Sequence, residues 1–148
     1  MRGLSLTQPW AQLVADGRKG WETRGWTTGY RGLVAIHATG RMTADDVEFA
    51  VEQGYNPRAL PLGAIVAVAR IAGVLEASVA ERTIRDTMPE ADAERELAVG
   101  DFSPGRYAWE LADVRAVPAI PIRGALGLWD VPSDIVIRLR LDAGLAGR

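Results

Sequence analysis

Between Gly17 and Trp26 the chain reads GRKGWETRGW, placing three cations, one carboxylate and two indoles within ten residues. A carboxylate accepts hydrogen bonds in the plane in which a guanidinium or ammonium donates them, and an indole face accepts a flat ring. A nucleobase needs both, because it carries donors and acceptors along its edge and stacks through its face. In an extended run alternate residues share a face, so Glu22, Arg24 and Trp26 point one way and Lys19, Trp21 and Thr23 the other. Glu22 then reaches Arg24, and the long stem of Lys19 curls around the start of the strand toward both. Gln8 and Trp10, just upstream, close the same space. An ordinary ion pair on a sheet face, with Trp10, Trp21 and Trp26 as core filling, explains these residues without any ligand.

Two further places carry chemistry. His37 lies in the apolar run LVAIHATG, where a histidine serves as a base only if a partner orients it and otherwise is a hydrogen-bonded core residue. Arg106, Tyr107 and Trp109 in SPGRYAWEL form a second cation and aromatic cluster at a loop-to-strand junction, where the wall of a groove can form. GALGLWDVP reads as structural, with glycines for turns and Trp129 for packing.

The elements that must hold these groups follow from local pattern. GLSL is a short strand; TQPWAQLVADG is a short helix started at Thr7 or Gln8, with Pro9 in its first turn and Gly17 as its stop. KGWETRGW and RGLVAIHA are expected to pair as an antiparallel hairpin around the turn TTGY. TADDVEFAVEQG is a helix with Thr43 as N-cap, Asp46 in the capping-box position and Gly54 at its end. Residues 63 to 76 form a long buried strand. GRYAWELADVRAVPAIPIRG supplies two more strand runs, the second assigned to an edge or a bulge by Pro118 and Pro121. PSDIVIRLRLDAG is read as a helix starting at Ser133 and Asp134 and stopped by Gly144. The sum is an α+β chain: a small mixed β-barrel of about five or six strands with flanking short helices. No glycine-rich phosphate loop follows the first strand, which disfavours a doubly wound nucleotide fold.

The 148 residues suit one compact domain spanning residues 1 to 148. With 17 Lys and Arg against 19 Asp and Glu, the formal charge is -2, so any contact with nucleic acid must be local. Residues 1 to 41 are locally basic, whereas the acidic segment at 86 to 101 reads as a solvated helix or loop, a surface rather than a site. The lack of cysteine excludes disulfides and thiolate catalysis, and a single histidine without ligand spacing gives no metal site. No cofactor is expected. Without a signal-like or membrane-length apolar run, a cytoplasmic chain without a membrane partner is the default, and a monomer is favoured.

The ordered set LSLTQPWAQLVADGRKGWETRGW, YRGLVAIHA, GRYAWEL and IPIRGALGLWDVP resembles the ASCH domain family of the PUA-like superfamily, over residues 4 to 132. The resemblance implies a PUA-like barrel with a cleft beside the GRKGWETR run that binds RNA or another nucleic-acid component. The family's cleft motif falls on Lys19, Glu22 and Arg24, and its helix signature on Gln8, Pro9 and Trp10. Tyr30, Arg31, Gly32 and His37 match the following strand. Some ASCH-like proteins are amidohydrolases that deacylate N4-acetylcytidine with a Lys, a Thr and a Glu, and others are ribonucleases. Lys19 matches that lysine, but Glu22 stands at the threonine position.

Three readings follow, in order. The first is a binding module for single-stranded RNA or a modified nucleoside, using Gln8, Pro9, Trp10, Lys19, Glu22, Arg24 and Trp26, with His37 and Tyr107 on the strands alongside and Arg31 and Arg106 near phosphates. The second is a small hydrolase, an N4-acylcytidine amidohydrolase or a ribonuclease, with Lys19 and Glu22 as catalytic residues. The third is a protein-interaction domain that uses the acidic segment.

Overall fold

A computed structural model describes residues 1–147. In chain order the elements are β1 (Arg2–Leu6), α1 (Trp10–Ala15), β2 (Trp21–Arg24), β3 (Gly32–Ala38), α2 (Ala44–Glu52), β4 (Ala64–Glu76), α3 (Ala77–Thr87), α4 (Glu90–Ala98), β5 (Tyr107–Pro121), β6 (Leu128–Asp130) and α5 (Ser133–Asp142). The strands form one curled six-stranded sheet in the order β2-β5-β4-β3-β1-β6, which nearly closes into a barrel with short helices around it.

The expected hairpin does not form. β2 pairs antiparallel with β5, Glu22 lying opposite Trp109, while β3 runs parallel to β1 and antiparallel to β4. Alternation reports that a segment is extended and which residues share a face, but not which distant strand takes up its hydrogen bonds. The two strand runs predicted within residues 105 to 124 are joined in one strand, β5, which turns through Asp113 at a φ of 52°. Beyond Glu110, β5 has β4 alone beside it, so Pro118 and Pro121 sit on an edge where their missing N–H groups cost no ladder bond.

Local signals elsewhere give what they predict. Thr43 and Asp46 close a complete capping box at the start of α2, and α5 occupies the ambiguous alternating run IVIRLRL. Gly17 and Gly54 follow α1 and α2 with φ values of 73° and 87°, the left-handed geometry that lets a chain leave a helix.

Three apolar clusters hold the sheet. Inside the curl, α1 buries Ala11 and Val14 against Leu4, Val34, Ile36, Ile71 and Trp109. On the opposite face, Leu139 of α5 covers Ile65, Val68 and Ile120. Trp21 and Ala108 pack beneath α3 and α4 through Ala80, Ile84 and Ala93. Each fully buried large side chain contributes roughly 1.5–3 kcal/mol of transfer free energy. The edge strands of the near-barrel are β2 and β6, but β6 pairs only with Arg2–Leu4 of β1, and past its end a seam opens between β2 and β1 that the Arg24 guanidinium bridges with a 2.7 Å hydrogen bond to the Ser5 carbonyl. Among the described residues, no helix is long and apolar enough to cross a membrane.

Candidate functional site

Extended geometry on β2 puts Glu22 and Arg24 on one face, and the Arg24 Nη2 lies 3.2 Å from Glu22 Oε2. Lys19 reaches around the strand end as its stem length allows, bringing Nζ to 3.7 Å from Glu22 Oε1. Ammonium, carboxylate and guanidinium therefore meet. The ammonium itself lies below the surface, since Lys19 is only 1% exposed and donates to the carbonyls of Trp21 at 2.6 Å and Val99 at 3.3 Å. A charge removed from water needs such a full set of partners, because an unpaired buried ion costs several kcal/mol. Lys19 thus sets the charge under Glu22, and Glu22 and Arg24 face the space above.

That space is a cleft of about 520 Å³ over the seam between β2 and β1. Glu22, Thr23 and Arg24 line one side, Trp10 and Phe49 another, and the backbone from Ala98 to Asp101 a third. The Trp10 and Phe49 rings stack with centroids 4.9 Å apart, and the Trp10 indole N–H donates to the Val99 carbonyl at 3.1 Å.

The acidic segment, read from sequence as a surface away from the site, supplies this third wall. α4 carries Glu96, which is 5% exposed and accepts a 2.7 Å hydrogen bond from the Gly20 N–H. Burial pushes the Glu96 carboxyl above its ordinary value, against the opposing effects of the Gly20 N–H and the Lys19 charge. Val99 accepts from both Lys19 and Trp10, and the Asp101 N–H donates to the Thr23 hydroxyl at 3.0 Å. Hydrogen bonds from Ser103, reinforced by Arg106, hold the exposed Asp101 carboxyl below the usual range. Glu96 escaped notice because it is one acid among many in EADAERELA, and the Val99 carbonyl leaves no mark in a sequence at all. The apolar spacing Ala93, Glu96, Leu97 on a helix was the available hint that Glu96 faces inward.

The remaining predicted residues are dispersed. Gln8 is fully buried, donating to the Pro61 carbonyl and accepting from the Gln12 N–H, so it ties α1 to the 57–61 loop rather than facing the cleft. Pro9 is buried beside it. Trp26 is 36% exposed and meets Trp109 edge to face outside the cleft lining, while Arg31 is exposed and folds back on the carbonyls of Thr28 and Tyr30. Arg106 braces the third wall by donating to the carbonyls of Asp101 and Thr23. Tyr107, opposite Arg24 on β5, packs against the main core.

His37 belongs to a second cleft of about 510 Å³, which shares Ser5, Arg24 and Thr39 with the first. Its Nδ1 lies 3.0 Å from Ser5 Oγ and its Nε2 2.7 Å from the Ile122 carbonyl. Burial lowers the His37 pKa from the ordinary value, partly offset by the Ile122 hydrogen bond. Among the described residues, no cluster of three or more His, Asp or Glu side chains could hold a metal ion.

Comparison with known proteins bears on the whole arrangement. The family model described as ASCH domain matches residues 4–121. The crystal structure of ASCH from Zymomonas mobilis superposes with a TM-score of 0.58 at 12% identity, covering 93% of this chain and 92% of that one. Two point variants of that protein superpose with TM-scores of 0.57 at 14% identity and 0.55 at 13% identity. Each covers 93% of this chain, and 92% and 94% of its own. At such identities the likeness is one of fold. No curated protein matches the sequence.

Proposed function

From the premise that this chain belongs to the ASCH domain family, we propose that the cleft over the β2–β1 seam binds a single unpaired or modified base, carried on single-stranded RNA or as a nucleoside. The observation that carries this reading is the placement of Glu22. Its carboxylate is fixed between Arg24 and the buried Lys19 at the edge of a space lined on another side by Trp10 and Phe49. A carboxylate held in this way accepts hydrogen bonds from an exocyclic amine or ring N–H without paying for its own ordering, and the neighbouring ring supplies a stacking face. Arg24 offers guanidinium donors to carbonyl groups on the same base.

The reading is tested by fluorescence anisotropy with a short single-stranded RNA and by thermal shift over a panel of nucleosides. Glu22→Gln is expected to weaken binding about tenfold or more, since it removes a charge-assisted acceptor. Because few phosphates are neutralised, the salt dependence should be shallow. Equal binding by the wild type and Glu22→Gln would sink the proposal.

A further inference from the structure

We propose that Ser5 and His37 form a nucleophilic pair that hydrolyses short-acyl carboxylic esters in the second cleft, an activity separate from base binding. Register places the two residues opposite each other on the parallel strands β1 and β3. The hydrogen bonds around them fix the protons. A carbonyl only accepts, so the 2.7 Å contact to Ile122 assigns the imidazole proton to Nε2 and leaves Nδ1 as a lone-pair acceptor. The Ser5 hydroxyl, 3.0 Å away, donates to that lone pair. An indole N–H only donates, so Trp129 Nε1 at 3.2 Å gives its hydrogen bond to Ser5 Oγ.

Every neighbour is thus arranged as a nucleophile requires. His37 accepts the hydroxyl proton, Ile122 orients the ring and stabilises the imidazolium, and Trp129 fixes the orientation of the hydroxyl by donating to Oγ. The low basicity that burial imposes on His37 keeps it neutral and ready to accept at neutral pH. The loop comes so close to the pair that only glycine fits at 124: a Cβ there would lie 2.4 Å from Ser5 Oγ and 2.7 Å from the His37 ring. The same cleft is lined by Ile122, Ala125 and Leu126, which suit a short aliphatic acyl group.

In the first step Ser5 Oγ bonds to the ester carbonyl carbon as its proton passes to His37 Nδ1. The tetrahedral adduct then collapses, the carbon–oxygen bond to the alcohol breaks, and the departing oxygen takes the proton from Nδ1. Water next adds to the acyl-serine, giving a proton to Nδ1. Oγ leaves and takes that proton back, releasing the carboxylic acid.

The test uses a fluorophosphonate probe with intact mass measurement and peptide mapping, in the full chain. The wild type should gain one adduct, on Ser5, and Ser5→Ala none. His37→Gln should label about a hundredfold more slowly, the scale of a lost general base. In the wild type, labelling should slow as pH falls through the lowered His37 value. Because mapping locates the adduct in the unaltered protein, the result stands even where Ser5→Ala fails to fold. No adduct on wild-type Ser5, or equal labelling rates in the wild type and His37→Gln, would overturn the proposal. Neither outcome touches the RNA and nucleoside measurements on Glu22.

Discussion

The two clefts that share Ser5 are finished with opposite materials. Toward β2 the seam is closed by charge: Lys19, Glu22 and Arg24 in contact, with Glu96 behind them, mostly out of water. In the second cleft the contacts are neutral: Ser5, His37, Trp129 and the Ile122 carbonyl, joined by directional hydrogen bonds. A buried neutral group loses less when its partner is removed than a buried charge stripped of its counter-charge, whose desolvation cost is larger. The contrast places the fragile part of the molecule at the first cleft and the tolerant part at the second.

The largest effect is therefore expected at Lys19. Lys19→Met leaves Glu22 short of a counter-ion and takes the ammonium donor from the Trp21 and Val99 carbonyls, and should cost about 3–5 kcal/mol in urea unfolding. A loss no greater than that of Ser5→Ala would erase the distinction between the two sides. The neutral side should show its largest penalty from shape rather than polarity. A Cβ at Gly3 would lie 2.5 Å from the Trp129 ring, so Gly3→Val is expected to cost about 1–3 kcal/mol by overpacking, measured the same way. Ser5→Ala leaves the Trp129 N–H and His37 Nδ1 without their neutral partner and should lose about 1–2 kcal/mol.

The finest distinction is the response to pH, which runs in opposite directions. The folded Glu96 carboxyl binds its proton more tightly than the unfolded one, so its contribution falls as pH rises from 4.5 through the raised folded value. Folded His37 binds its proton less tightly, so its contribution falls as pH drops from 6.5 through the lowered folded value. Urea midpoints followed across pH 4 to 8 should lose the first slope in Glu96→Gln and the second in His37→Asn. Both slopes surviving in both variants would show that the two groups do not set the pH response.

Much of the charged seam was legible from the chain because it is local. Period-two alternation put Glu22 and Arg24 on one face, and side-chain reach alone brought Lys19 to them. The fold class, the α2 capping box and the Pro-bearing edge of β5 were equally plain. Non-local information was missing. Nothing in WETR names β5 as its partner across more than eighty residues, and nothing in the acidic run says that α4 turns one glutamate inward. His37 reads from sequence as a base only if a partner orients it and otherwise as a hydrogen-bonded core residue, and the group at its Nε2 is a backbone carbonyl contributed from residue 122. Main-chain acceptors have no letter of their own, so both the Val99 and Ile122 contacts stay invisible until the chain is folded.

The α3–α4 excursion leaves β4 at Glu76 and returns at Tyr107, two residues that face each other across the sheet, and the Ala77 N–H donates to the Arg106 carbonyl. Its entry and exit coincide, so the barrel does not register how many residues lie between. Such a segment can change in length without re-pairing any strand, provided its replacement keeps the cover that Ala80, Ile84 and Ala93 give to Trp21 and Ala108. Polar anchors limit that freedom further, because the replacement must still present a carboxylate to the Gly20 N–H as Glu96 does and a carbonyl to Lys19 and Trp10 as Val99 does.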